Sequence, residues 1–325
     1  MKVAIVQSKP RKGDVVANMA EMQAIFAQLA ADVEPYDLVV FPEAALTGYF
    51  LEGAVYELAF DAESLAERIA NAWRSAAGAL RAPVDIVLGF YENAGGTYYN
   101  SALYLSVTPT AHEIVHVHRK MFLPTYGVFD EERFLSRGRR LQAFETRLGR
   151  TAILICEDAW HAIMPTIAAI KGARVLIVPS ASPGRGLSPS EPGRGLSPSE
   201  PGRGLSGAGQ LESVRHWMNV LTDYAVEHGV FMIYAGLAGF EGGKGMAGSS
   251  AVIDPFGKTL AALPALGAHI LRATLDLDEI DIARARLPLL GDLGAVLPDL
   301  LYDDELQPHH MRRAAPAAVG SGDVR

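Results

Sequence analysis

A single cysteine, Cys156, stands among 325 residues, so no disulfide can close within the chain. No apolar run approaches the roughly 18 residues that span a bilayer. The N-terminal MKVAIVQSKP has no long apolar core of the secretory type and reads as a first strand. Lysines and arginines form no block, and 29 basic against 37 acidic side chains leave a net charge of −8, which argues against nucleic acid as a partner. Charged residues at 20% and hydrophobic residues at 49% exclude wholesale disorder. What remains is the expectation of a cytoplasmic protein with a sizeable core and no membrane contact. Length allows about two domains or one large α/β unit.

The residues present alternate between short apolar runs and helical stretches. Val- and Ile-rich runs at 3–7, 37–43, 84–91, 101–107, 113–120, 151–158, 174–180, 230–236 and 249–255 are bounded by Gly, Pro, Asp or Asn and predict strands. Several are apolar on both faces, as in sheets covered on both sides. Helices are predicted at about 15–32, 61–81, 161–171 and 208–229. In the first, Met19, Met22, Ile25, Phe26 and Leu29 recur at helical spacing and read as core packing. The alternation, with hairpin-like neighbours at 84–120, predicts an α/β fold with mixed sheets.

Residues 183–206 stand apart. They read PGRGLSPSE, PGRGLSPSE, PGRGLS, a nine-residue repeat whose Pro, Gly and Ser content cannot build a core. A tandem duplication inside one loop accounts for it. The other reading is an enlarged lid whose Arg185, Arg194 and Arg203 attract an anion. The tail at 307–325 reads as disordered.

Three polar residues close apolar strands: Glu43 in DLVVFPE, Lys120 in EIVHVHRK and Cys156 in TAILIC. Ligands of α/β sheets bind beyond the carboxyl ends of strands, so a carboxylate, an ammonium and a thiol could meet in one crevice. Their chemistry is coherent. A thiol needs a base to become a nucleophile, which Glu43 supplies. Lys120 would stabilise the thiolate and a later oxyanion, and the Glu157 backbone N–H, next to the nucleophile, would be a second oxyanion donor. Taken singly, each residue has a plainer reading: a buried small hydrophobe for Cys156, a cap for Glu43, a solvated strand end for Lys120.

With these motifs in view, the chain resembles the nitrilase superfamily of carbon–nitrogen hydrolases over nearly all of 1–306. DLVVFPEAALTGY (37–49) is similar to the family's glutamate motif, HRKMFLP (118–124) to its lysine motif and LICEDAW (154–160) to its nucleophile motif. YYNSA (98–102), FDEERFLSRG (129–138), AGSSAVIDPFG (247–257) and ARARLPLLGDL (283–293) echo it. The resemblance implies a four-layer α-β-β-α sandwich of two mixed sheets, and a homodimer or larger assembly. It implies Glu43 as general base, Lys120 as oxyanion stabiliser, Cys156 as nucleophile, and Glu131 as the glutamate that positions lysine and substrate. Glu132 is adjacent, so that last assignment is open by one position. YGVFDEERF and CEDAW most resemble the glutaminase domain of glutamine-dependent NAD synthetases, whose second domain carries a pyrophosphate loop not seen here. The chain is therefore expected to be a stand-alone amidase or an unfused glutaminase-like unit.

Other constellations carry less. Tyr49, Tyr126 and Trp160 neighbour motif residues and either line the pocket or pack as aromatics. His116 and His118 form an H-x-H on one strand without a third ligand at recognisable spacing, which favours structure over metal. His309 and His310 read as a solvated pair. GFEGGKG (239–245) lacks phosphate-loop spacing and reads as a flexible turn near the pocket. The expectation is hydrolysis of a small amide through a Cys156 thioester, with no cofactor or metal. The alternatives are a nitrilase, a glutaminase unit feeding a synthetase, and a ligand-binding pseudoenzyme.

Overall fold

The computed structural model describes residues 1–77, 82–185 and 211–303. Most of the nonapeptide repeat (186–206), the expected tail (307–325) and the end of the second predicted helix (78–81) lie outside the described residues.

Fourteen strands form two six-stranded sheets and one hairpin among these residues. In chain order they are β1 (Lys2–Gln7), β2 (Leu38–Val40), β3 (Val84–Ala94), β4 (Thr97–Val107), β5 (His112–Arg119), β6 (Ala143–Phe144) and β7 (Thr151–Ile153). There follow β8 (Val175–Ser180), β9 (Phe231–Gly236), β10 (Ala238–Glu241), β11 (Lys244–Ala247), β12 (Ala251–Ile253), β13 (Thr259–Ala262) and β14 (His269–Thr274). The helices are α1 (Val15–Ala30), α2 (Val55–Leu58), α3 (Ala62–Ala77), α4 (Ile163–Ile170), α5 (Glu212–His228), α6 (Glu279–Arg286) and α7 (Leu289–Leu301).

The first sheet runs β14-β1-β2-β3-β4-β5, parallel across β1, β2 and β3 and antiparallel elsewhere. The second runs β13-β12-β9-β8-β7-β6, parallel across β7, β8 and β9. Both are mixed, as expected. Strand alternation explains the layers. Ala4, Val6, Val39, Ile86 and Leu88 face one way and pack with Met22, Phe26 and Leu29 of α1 and Leu65, Ile69 and Trp73 of α3. Their neighbours Val3, Ile5, Leu38, Val40 and Val87 face the other way and join Leu176, Val178, Met232 and Tyr234 of the second sheet. That cluster continues to Trp217, Leu221 and Ala225 of α5 and to Met164 and Ala168 of α4. The result is helices, sheet, sheet, helices, and both sheets are apolar on both faces because both faces are covered.

The predicted strands at 37–43 and 151–158, which lead to Glu43 and Cys156, stop early. Of 37–43 only Leu38–Val40 keeps the ladder, and of 151–158 only Thr151–Ile153 does. Pro42 has no N–H to give, and Ala44 and Cys156 turn to positive φ, 52° and 46°. The chain thus leaves each sheet as the motif begins. GFEGGKG, read as a flexible turn, forms the β10–β11 hairpin, with Gly242 and Gly243 at φ 56° and 79° in its two-residue turn.

Candidate active site

Glu43, Lys120 and Cys156 follow the ends of β2, β5 and β7. All three are buried, at 0%, 0% and 5% exposure. The Lys120 Nζ donates to Glu43 Oε1 and to Glu131 Oε1, each at 2.8 Å. Glu131, not the exposed Glu132, is the glutamate that enters the site. One ammonium held between two carboxylates satisfies much of the cost of burying all three charges.

Each Glu43 oxygen is held by a different sheet. Oε1 also accepts from the Asn100 side-chain amide of β4 at 2.7 Å, and Oε2 accepts from the Ala181 N–H, just past β8, at 2.6 Å. A carboxylate offers about four acceptor directions; three are used, leaving one on Oε2. Gly89 lets β3 pass this close: a Cβ there would meet the Glu43 Cα at 2.4 Å and the Pro42 carbonyl oxygen at 2.6 Å.

Glu131 Oε1 also accepts from the Tyr49 hydroxyl and from Asn100 at 3.2 Å. The Tyr49 N–H and Phe50 N–H donate to Glu241 of the hairpin at 2.8 and 3.0 Å, and the Tyr91 hydroxyl donates to the Tyr49 carbonyl.

Electrostatics follow from burial and a charge imbalance. Burial alone would lower the Lys120 ammonium, but Glu131 and Glu43 outweigh it and hold it well above its ordinary range. Burial raises Glu131, Lys120 opposes that, and Glu43 adds to the rise. Burial also pushes the Cys156 thiol far up, Glu43 reinforces this, and Lys120 works against it. The resting sulfur is therefore a thiol.

Cys156 opens a tight helical turn, Cys156–Trp160. Among the described residues, no backbone hydrogen bond outside the helices and strands engages the Glu157 N–H. Its carboxylate accepts from the Tyr126 hydroxyl at 2.9 and 3.0 Å. Burial, then Glu157, push that hydroxyl up to about 12. Two clefts flank the trio. One, about 610 Å³, is walled by Tyr126, Glu157, Pro124 and His161; the other, about 260 Å³, by Tyr49, Phe50, Phe129 and Glu131. Neither wall includes Glu43, Lys120 or Cys156. Trp160 lines neither cleft and is used in packing: its ring stacks on His216 at 4.3 Å and meets Trp217 edge-on at 5.1 Å. The first arginine of the repeat, Arg185, lies over the Phe129 ring at 5.2 Å; Arg194 and Arg203 lie outside the described residues.

His116 and His118 have partners of another kind. Burial, with His118 next, pulls the His116 imidazole down to about 4, and its ring packs on Phe144 at 4.3 Å. His118 pairs with Asp158 at 2.9 Å. Among the described residues no group of three or more His, Cys, Asp or Glu could hold a metal ion. His309 and His310 lie outside them. Asn100 and Asp158 are site residues that strand-end reasoning missed. Both sat inside quoted motifs, YYNSA and LICEDAW, but a neutral amide and an acid two residues past the thiol carry no signal of what they bind.

A family model described as carbon–nitrogen hydrolase matches residues 2–285. The glutamine-dependent NAD(+) synthetase of Thermotoga maritima is 27% identical over 279 residues, 86% of this chain and 42% of that protein. The chain thus spans less than half the length of that relative. A probable nitrilase of Schizosaccharomyces pombe is 24% identical over 85% of this chain and 89% of its own length. Among solved structures, a carbon–nitrogen hydrolase from Helicobacter pylori superposes with a TM-score of 0.75 at 22% identity, covering 93% of this chain and 99% of that one. An amidase from Nesterenkonia sp. AN1 with an acetamide moiety added at its active-site cysteine gives 0.68 at 20% identity, covering 92% and 96%. These two likenesses establish the nitrilase-type sandwich.

Proposed function

The chain belongs to the carbon–nitrogen hydrolase family, and from that premise we propose that it is a thiol amidase that cleaves the non-peptide C–N bond of a small amide. The observation that carries this reading is the buried Glu43–Lys120–Glu131 cluster at the base of the Cys156 turn. A core cysteine that only fills space has no use for three buried charges beside it.

The geometry supports the following steps. The free acceptor direction of Glu43 takes the Cys156 proton as the sulfur attacks the carbonyl carbon. The substrate oxygen becomes an oxyanion against the Lys120 ammonium and the Glu157 N–H. Glu43 returns the proton to the departing nitrogen, the C–N bond breaks, and a thioester remains. Glu43 then takes a proton from water, the hydroxide attacks the thioester, and the acid leaves as Cys156 regains its proton. Glu131 holds Lys120 in line, and Tyr49 and Tyr126 line the approaches. The raised thiol fits this order, because the proton leaves only as the new bond forms.

A second reading rests on the similarity to NAD synthetases: the amide is glutamine, and the released ammonia passes to a synthetase. We also propose that the chain works in the cytoplasm as a homo-oligomer. Intact-mass screening of the wild type against a small-amide library, glutamine included, tests the reaction: an accumulated acyl adduct on Cys156 names the acyl group. Cys156→Ala should lose all turnover of every amide that the wild type cleaves, and wild-type turnover in that variant would remove Cys156 as nucleophile.

A further inference from the structure

Asp158 takes no part in the steps above, yet it is fully buried between the two segments that carry Lys120 and Cys156. Its oxygens divide the work. Oδ1 accepts from the Met121 and Phe122 N–H groups, directly after Lys120, at 2.9 and 3.0 Å. Oδ2 accepts from the Ile155 N–H, directly before Cys156, at 3.1 Å. The same Oδ2 meets the His118 Nε2, two residues before Lys120, at 2.9 Å. The lysine segment is thus gripped on both sides of the lysine and the cysteine turn at its entry, by one carboxylate. A ring contact spans the same gap, with Phe122 stacked on His161 at 3.7 Å.

We propose that Asp158 is a positioning residue that fixes the distance and angle between the Lys120 ammonium and the Cys156 sulfur, a reading that rests on the amide hydrolysis proposed above. Three of its four partners are backbone donors that cannot turn away, and the fourth fits as a donor in the tautomer with the proton on Nε2. Only an acid that accepts at both oxygens suits all four. An asparagine has the same shape but aims an NH₂ group at donors, so one of the two segments must shift. A shift of about 1 Å between reacting groups costs on the order of a hundredfold in rate. A substitution that merely loosened the fold would act in the opposite sense on the thiol, by exposing it.

That contrast supplies the test. Cys156 is the only thiol in the chain, so iodoacetamide alkylation followed by intact mass reads this site alone and needs no identified substrate. In full-length Asp158→Asn at pH 7.5 the alkylation rate should fall at least tenfold. The kcat for the amide found by adduct screening should fall by a similar factor with KM within threefold. Alkylation that is unchanged or faster in the folded variant overturns the positioning role. His118→Leu, which removes one donor and keeps the carboxylate, should slow alkylation severalfold, and His118→Gln should recover most of it. If Asp158→Asn does not fold, the His118 pair decides: wild-type alkylation in His118→Leu overturns the proposal. If no amide is turned over by the wild type, the amidase reading fails, while the alkylation series still reports on positioning.

Discussion

At the scale of single residues the site is an unbalanced charge count: one ammonium, two carboxylates and a thiol kept protonated by burial. Cys156 has a stability signature because of this. Its pKa is raised above the ordinary 9.0, so in alkaline solution the unfolded chain releases a proton that the folded chain retains. Stability linked to Cys156 is therefore complete below about pH 9 and is lost above it. Between pH 9 and 10 the wild type should lose about 1 kcal/mol more than Cys156→Ala. Urea midpoints at the two pH values measure this, and parallel losses in the two proteins would contradict it. Lys120→Met tests the other side. Removing the ammonium leaves Glu43 and Glu131 facing each other without a cation, at a cost of about 3–5 kcal/mol near neutral pH. Glu131 is raised even with Lys120 present, so in the variant acid should protonate it and restore part of the loss. Urea titrations at pH 7.5 and 5.5 check this; a deficit independent of pH would mean that packing, not charge, is what the variant lost.

Among the elements, the turns after β2 and β7 carry the proposed base and nucleophile, and one small residue governs the first. Gly89→Ala would drive a methyl into the backbone at Glu43, so we expect a loss of about 2 kcal/mol and roughly a hundredfold in kcat as the proposed base moves. Wild-type kcat and urea midpoint in that variant would show that the segment has room to move. The elements also show what could be read in advance. Long apolar runs such as β3 and β8 and helices such as α1 were legible, because both sheet faces are covered and α1 carries its Met and Phe stripe inward. The α7 helix was not, since Gly291, Gly294 and Pro298 lie inside it and none of its residues is buried. Nor was β14, whose HILRAT alternates weakly and gains its ladder from β1, more than 260 residues away. The trio could be located because strand ends and motif spelling coincide. The Ala181 amide and the Tyr91 hydroxyl could not, because their roles arise only when distant segments meet.

For the whole molecule, mixed sheets were predictable from alternation and the double layer from the family resemblance, and structures with TM-scores of 0.68 and 0.75 share the fold. Among the described residues no helix is long and apolar enough to cross a membrane. The molecule is stitched from its two ends: β14 pairs with β1, and the Met1 amino group donates to the Leu275 carbonyl at 2.8 Å. Gln7 reaches across as well, accepting from the Ser250 N–H at 2.8 Å while its amide donates to the Pro264 and Gly267 carbonyls. Deleting residues 2–7 should therefore unfold the second half along with the first. A single cooperative transition in the intact protein, by both fluorescence and circular dichroism, checks this, and two separate transitions would argue against it.

Because Glu43 is gripped by an amide at position 181, its carboxylate belongs to one layer and its anchor to the other. During synthesis the thiol at 156 leaves the ribosome before that anchor exists. A nascent chain therefore carries a thiol of ordinary acidity before Glu43 is anchored, and the burial that raises that thiol arises only when the second half closes over the first.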